Sequence, residues 1–557
     1  MGGNPHGRIL RRQSAGLAQN RVLSWPRAAS LSRGGPFLVR PGSLRRRAAA
    51  ALLLLVPVLS AILGWDGHVF AACDVPSGPL ADSLRFGTEA AARSHVGILA
   101  VSLDRGDTLL GLNPEGRFIP ASNMKLFVTG AFLKQFGPDA RGLADIAAVG
   151  KLDRSKGRRE LALKGDLILR GSGYPDVYQL LKPGSRGLLD SLAYLLYESG
   201  MRKFEGTVWV DGTLFAREPY GPGWAVDDLP WSYGAPLNSV LANGNAATLL
   251  ATATPTGVVL SLDPPETPLK MEGRLSLVDS SSAPVLSISR DPGSRVLRVS
   301  GRVPRGGVAK RQVAVPEPDS TAGLVLLGAM RRAGIKVKGT VATMPANGRR
   351  PGSKDPVTLT SLSSPPASEV VSMVDAYSLN VETEALLRLL DPAPAGKTAA
   401  QGLRKLSSML AEAGVDTLDL SFVDGSGLSP LNLATPRAFV RWLAYLGQDS
   451  TLSKVFRETL AVPGGVGTLQ RRFPDLGPEA SLRAKSGTLT NVSALSGYVT
   501  SAEGERIVFS ILSNGNRGGV ASARAAEEAI VGALSRYRRG AESGTAPGGA
   551  TPRMIPR

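Results

Sequence analysis

Histidine and cysteine are nearly absent, with three histidines and one cysteine in 557 residues. His6 and His68 lie in an N-terminal segment that has the marks of a targeting sequence, so only His95 is left for the folded body. With Cys73 as the only cysteine, no His/Cys zinc cluster, internal disulfide or Cys-His dyad can be built. A Ser-His-Asp triad would rest on His95 alone, so nucleophilic chemistry must lean on lysine. Aromatic residues are only 5% of the chain, and Lys and Arg are scattered with neither interleaved aromatics nor a basic stripe. That pattern argues against nucleic-acid binding and for a solvated basic surface. No metal or cofactor is expected.

A chain of 557 residues is too long for one compact core, so more than one domain is expected. Gly 65 and Pro 40 make it rich in loops, but 43% hydrophobic residues and the lack of a Gly-X-Y period exclude a collagen-like or wholly disordered chain.

Residues 1–47 carry ten arginines and no acid, ending in Arg45-Arg46-Arg47. An 18-residue stretch without charge, Ala48 to Trp65, follows, and the small residues Ala71 and Ala72 come soon after. Residues 1–72 therefore read as a basic region and an export signal, with a retained membrane anchor as the alternative. Phe70-Ala71-Ala72-Cys73 is close to a lipobox, so membrane association through an uncleaved signal or a lipidated Cys73 stays open. The expected location is the periplasm or cell envelope. About half of the formal charge of +19 belongs to this segment.

The body is expected from about Asp74 to Arg539, with 540–557 a disordered Gly/Ala/Pro/Ser/Thr tail. Val96 to Leu103 reads as a buried strand and Thr108 to Leu112 as its hairpin partner. Pro120-Ala121-Ser122 opens a helix that Gly137-Pro138 stops. From about 145 to 350 the texture becomes β-rich with few long helices, as in Leu161–Leu169, Gly206–Val210 and Val258–Leu262. Helical periodicity returns in 368–390, 398–414 and 436–447. Two strands, Ser493–Thr500 and Arg506–Ser513, then precede an Ala-rich helix over about 520–538. The expected class is α+β, a sheet covered by helices.

Ser122-Asn123-Met124-Lys125 sets a hydroxyl and an amine three residues apart on one helix face. Among sixteen lysines, Lys125 alone has Ser three positions before it, and Lys485-Ser486-Gly487 is the only K-[ST]-G. Between them lies Ser378-Leu379-Asn380. The ordered set S-x-x-K, S-x-N, K-[ST]-G resembles that of penicillin-binding proteins and serine β-lactamases. The 256 positions from Ser122 to Ser378 make the arrangement similar to class C low-molecular-mass penicillin-binding proteins, the D-alanyl-D-alanine carboxypeptidase/endopeptidase family. Gly165-Asp166-Leu167, Gly221-Pro222-Gly223-Trp224, Tyr233-Gly234-Ala235-Pro236, Asp424 to Ser429 and Gly467-Thr468-Leu469 carry the same likeness, which spans roughly 75–535.

The resemblance implies a penicillin-binding-protein/serine β-lactamase-like domain split between 73–145 and 351–539, with β-rich inserted domains at 146–350. It implies a serine D-Ala-D-Ala carboxypeptidase or endopeptidase that cleaves peptidoglycan stem peptides through a Ser122 acyl-enzyme, with β-lactams acylating the same serine. A serine hydroxyl needs a base, and Lys125 can be one only if burial or a second cation lowers its pKa. Lys485 is the natural second cation. In the family's pattern Ser378 relays a proton to the leaving amine and Asn380 bonds the substrate amide. Ser486 and Thr488 around Gly487 hold the carboxylate, and the N–H groups of Ser122 and Thr488 form the oxyanion hole.

Two positions depart from that pattern. Leu379 replaces the usual Asp, and Tyr174 stands where an acid is usual in Gly171-Ser172-Gly173-Tyr174-Pro175-Asp176, so the family's handling of the stem's diamino acid does not carry over. A serine β-lactamase or esterase of the same superfamily, and a catalytically silent wall-binding scaffold, are the competing readings. Asp424 and Glu384 read as structural, and His95 as surface or packing.

Overall fold

The computed structural model describes Leu80 and residues 94–154, 160–348, 355–516 and 518–539. The chain divides into two units, Met1–Ala72 and Cys73–Arg557, and the described residues belong to the second. The expected export signal, the Cys73 lipobox and the 540–557 tail lie outside the described residues. Among the described residues no helix is long and apolar enough to cross a membrane.

The chain opens with the expected hairpin, β1 (His95–Ser102) and β2 (Thr108–Leu112). A 3-10 turn, Ala121–Met124, then runs into helix α1 (Lys125–Phe136), which ends at Gly137 with φ +82°. Three strands follow, β3 (Leu143–Arg154), β4 (Leu161–Arg170) and β5 (Met201–Asp211), with α2 (Leu188–Glu198) between the last two. Next come β6 (Ala246–Thr254), β7 (Gly257–Asp263), β8 (Lys270–Val278), β9 (Val285–Ser289), β10 (Val296–Pro304) and β11 (Val308–Ala314). Helix α3 (Pro318–Arg332), β12 (Lys336–Thr343) and β13 (Val357–Ser363) complete this part.

The 15-residue α3 and the 11-residue α2 are the long helices of this β-rich region, in keeping with the expectation of few. Leu188, Leu189, Leu192 and Leu196 of α2 meet Leu326, Leu327 and Met330 of α3 in one core over the sheet ordered β12-β5-β4-β3-β13. Short Gly- and Pro-bounded strands obscured these helices in the sequence. Pairing also widens the sheet beyond 146–350, because Leu143 of β3 aligns with Ser363 of β13. The remaining six strands form two three-stranded sheets, β11-β6-β7 and β8-β10-β9, which share a core that includes Leu249, Leu297 and Val313.

Past the insert come α4 (Ala367–Tyr377), α5 (Asn380–Leu389), α6 (Ala399–Glu412), α7 (Pro436–Gln448) and α8 (Ser453–Thr459). The expected 368–390 helix is broken because Ser378 adopts φ +60° and Leu379 is extended. Thr435 caps α7 by accepting from the Ala438 N–H at 3.0 Å, with Pro436 at the first helical position. The chain closes with β16 (Arg483–Leu489), β17 (Val492–Thr500), β18 (Arg506–Asn514) and α9 (Gly519–Arg536), after the two-residue strands β14 (Leu420–Ser421) and β15 (Leu433–Ala434).

Both ends of the body share one sheet, ordered β16-β17-β18-β1-β2, in which His95 to Ser102 pair antiparallel with Asn514 to Ile507. Period-2 alternation explains how β18 serves two cores. Val508 and Leu512 face the helical core with Met124, Phe127 and Trp442, whereas Ile507, Phe509 and Ile511 face Ile530, Val531 and Leu534 of α9. This is the expected α+β class. Leu379 packs against the helical core, and so does Tyr174, whose ring meets Phe132 edge-on at 5.6 Å. His95 stacks on Phe118 at 4.2 Å, a packing role as expected.

Candidate active site

Helix α1 fixes Lys125 one turn below Ser122, and the lysine is fully buried. Its Nζ lies 3.0 Å from Ser122 Oγ, 2.7 Å from Asn380 Oδ1 and 2.6 Å from the Ser426 carbonyl. Asn380 Nδ2 donates to the Tyr233 carbonyl at 3.0 Å, which turns Oδ1 toward the lysine. Two of the three neighbours, an amide oxygen and a carbonyl, can only accept. A neutral amine has two N–H groups and one lone pair, so with both N–H groups committed the lone pair faces the Ser122 hydroxyl. Burial, and then repulsion from Lys485, lower the Lys125 pKa to about 7.

β16 forms the opposite wall. The Gly487 backbone passes so close that a Cβ there would stand 2.9 Å from both the Pro120 carbonyl and the Ser122 nitrogen. Lys485 is fully buried and donates to the Ser486 carbonyl at 2.8 Å. Burial lowers its pKa to about 8, with Asp375 acting in the opposite direction. Ser486 is buried, whereas Thr488 is exposed and its Oγ1 accepts from Arg524 at 3.3 Å. The third wall is the α4–α5 break that carries Asn380; on its far side Ser378, in the left-handed region, and Asn380 line a cavity of about 690 Å³ with Tyr233, Asn243 and Glu382, whose lining includes neither Ser122 nor either lysine.

The turn behind Ser426 is held by carboxylates that only structural roles had been expected of. Asp424 accepts from the N–H groups of Gly427 and Ser429, both at 2.8 Å, and from Trp224 Nε1 at 2.9 Å. Glu384 accepts from the N–H groups of Gly425 and Ser426 at 2.8 Å and pairs with Arg388 at 3.2 Å. Gly427, at φ +77°, lies where a Cβ would stand 1.8 Å from the Ala121 carbonyl, so only glycine lets this turn abut the serine. Ala121 itself is held at φ +47°, a conformation that costs a non-glycine residue about 1 kcal/mol or more.

Of the eight expected residues, the fold joins Ser122, Lys125 and Asn380 directly and sets Lys485, Ser486 and Gly487 against them. Ser378 stands beside Asn380, and Thr488 lies at the exposed end of β16. Three contributors were missed. The Ser426 and Tyr233 carbonyls are backbone groups, which leave no mark in side-chain identity. Asp375 did leave one, standing three positions before Ser378 on a helix.

Residues 82–537 match the family model for the D-Ala-D-Ala carboxypeptidase 3 (S13) family. A D-alanyl-D-alanine carboxypeptidase from an Actinomadura strain is 30% identical over 521 residues, covering 89% of this chain and 91% of that one. The D-alanyl-D-alanine carboxypeptidase DacB of Haemophilus influenzae is 25% identical over 437 residues, 76% of this chain and 86% of that protein. The crystal structure of penicillin binding protein 4 from Haemophilus influenzae superposes with a TM-score of 0.66 at 23% identity, covering 82% of this chain and 99% of its own, and so shares the fold. A serine and a buried lysine at bonding distance, walled by the K-[ST]-G strand and the S-x-N break, thus coincide with a family match over most of the body, and the chain belongs to the D-Ala-D-Ala carboxypeptidase 3 (S13) family.

Proposed function

We propose that Ser122 is the nucleophile with which this serine-type D-Ala-D-Ala carboxypeptidase opens the terminal peptide bond of peptidoglycan stems. The observation that carries this reading is the Lys125 amine, 3.0 Å from Ser122 Oγ with its N–H groups directed at Asn380 Oδ1 and Ser426 O. Lys125 takes the Ser122 proton as Oγ attacks the penultimate D-Ala carbonyl. The N–H groups of Ser122 and Thr488 meet the developing oxyanion. Ser378 passes the proton to the leaving D-Ala amine, so the C–N bond breaks as the acyl-enzyme forms, and water then hydrolyses the ester. Asn380 bonds the substrate amide, and Lys485, Ser486 and Thr488 receive the terminal carboxylate. β-Lactams present the same carbonyl and carboxylate and acylate the same serine.

The catalytic unit in this reading comprises 73–145 and 364–539, with the insert extended from 146–350 to Ser363 because β13 pairs with β3. The protein acts in the cell envelope after export, and the basic N-terminal region and uncharged stretch of 1–72 support that location.

Intact mass after incubation with penicillin, beside Ser122→Ala, tests the reading. An adduct on the wild type alone, with D-Ala released from a peptide ending in D-Ala-D-Ala, is the expected result. Rapid consumption of penicillin without a lasting adduct would identify a β-lactamase instead. No adduct and no consumption would leave a silent scaffold.

A further inference from the structure

One buried carboxylate has no part in the mechanism above. Asp375, in the last turn of α4, is fully buried three residues before Ser378. Thr459 Oγ1 lies 3.3 Å from its Oδ2 but has a shorter acceptor in the Phe456 carbonyl at 2.7 Å, while Asp375 Oδ1 is buried without a hydrogen-bond partner. The Thr129 hydroxyl beside it donates instead to the Lys125 carbonyl at 2.8 Å. Thr459 lies two residues before Ala461, which bridges Ala484 on β16, so this corner of α8 sets the carboxylate beside Lys485.

An ion buried with one oxygen unbonded is costly unless opposite charge faces it. The charged groups that face Asp375 are Lys485 from β16 and Lys125 from α1; from α8 comes the Thr459 hydroxyl. Of the other acids near the site, Glu384 on α5 and Asp424 in the following turn act on Lys125 and are already bonded to Arg388, Trp224 and backbone N–H groups, and Glu382 on α5, whose carboxyl burial holds up at about 7, also faces Lys125. Lys125, Lys485 and Asp375 are therefore buried together. The neutral state of these three holds one ammonium, one carboxylate and one free amine.

We infer that Asp375 is a positioning residue that keeps the ammonium proton on Lys485 and so leaves Lys125 as the free amine facing Ser122. This inference rests on the proposed acylation of Ser122. Burial holds the Asp375 carboxyl up at about 7, so the three groups exchange protons over the pH range in which the enzyme would work. Acylation needs Lys125 neutral and Lys485 charged, so its rate rises through the first pKa and falls through the second. Removing a negative charge lowers the pKa of both lysines, and both limbs of the profile then move to lower pH.

The test is the penicillin acylation rate of the full-length protein from pH 5 to 10, for wild type, Asp375→Asn and Thr459→Val. For Asp375→Asn the alkaline limb, set by Lys485, should fall by about one pH unit, so that acylation there drops about tenfold, and the acidic limb, set by Lys125, should fall by less. Thr459→Val keeps the carboxylate but removes the hydroxyl 3.3 Å from it, and should shift both limbs the same way by a smaller amount. It also carries the test if the aspartate variant does not fold. Limbs that stay in place while the rate falls uniformly would overturn the inference and leave Asp375 a packing residue. A wild type that forms no adduct at any pH would overturn the proposed function and this inference with it.

Discussion

The Nζ of Lys125 donates to Oδ1 of Asn380 across 2.7 Å, joining residues 255 positions apart on either side of the insert. This bond directs the lysine's lone pair, because Asn380 is itself held by the Tyr233 carbonyl. Asn380→Ala should lower penicillin acylation by about 10²-fold or more through lost orientation. Asn380→Asp should instead move the acidic limb of the profile upward, since a carboxylate at that distance favours the ammonium form of Lys125. Stopped-flow acylation rates as a function of pH distinguish the two effects.

For the wild type the sign follows from Lys125. Its pKa in the fold, about 7, lies below the ordinary lysine value, and only the neutral amine acts as a base. Acylation should therefore fall about tenfold per pH unit below that value, and above it hold only until Lys485 loses its proton at about 8. A rate that stays flat down to pH 5 would argue against Lys125 as the base.

Gly487→Ala tests the close passage of β16. The new methyl would meet the Pro120 carbonyl and the Ser122 nitrogen at 2.9 Å, so the strand or the serine turn must yield. A displacement of the serine by less than an ångström should cost about 10²-fold in acylation. Stability should fall by about 1–3 kcal/mol from overpacking. Acylation rates together with urea unfolding separate the two losses.

Much of this site was legible because its chemistry sits in side chains at short, fixed spacings. Ser122 and Lys125 are one helical turn apart, and Lys485-Ser486-Gly487 lies on one strand. The Ser378-Leu379 break interrupts a stretch whose periodicity reads as helix throughout, because the left-handed turn at Ser378 is a backbone feature. Backbone contributors were not legible: the Ser426 and Tyr233 carbonyls reach Lys125 and Asn380 only through tertiary folding. Likewise, α2 and α3 were hidden in a region whose turns and short apolar runs suggested strands, and only packing over the five-stranded sheet selects helix for them. Tyr174 and Leu379, conspicuous in the sequence as departures from the family pattern, prove to be packing residues of the helical core.

Stability beneath the sheet depends on a buried ion cluster. Arg472 contacts Glu527 at 2.9 Å and Glu528 at 2.8 Å, and Glu527 is almost fully buried, accepting from Ser493 Oγ at 2.7 Å. Arg472→Ala would leave that carboxylate without its cation and should cost about 3–5 kcal/mol in urea unfolding at neutral pH. Burial already raises the Glu527 pKa, and the arginine opposes that rise. Without Arg472 the carboxyl protonates more readily in the fold. The deficit should therefore shrink as pH falls toward 5; an unchanged deficit would mean the loss is one of packing alone.

The order of the main sheet also sets when the protein becomes chemically competent. Among the described residues β18 is the last strand, and in the sheet order it lies between the β1–β2 hairpin and the β16–β17 pair that carries Lys485. A ribosome that has delivered Ser122, Lys125, Ser378 and Asn380 has delivered most of the reactive groups but not the strand that draws them into one frame. A polypeptide truncated before Arg506 would thus be unable to form a covalent adduct, however many of its motifs were intact. Reactivity toward β-lactams is in that sense a property of the closed sheet, and adduct formation reports that synthesis has run through β18.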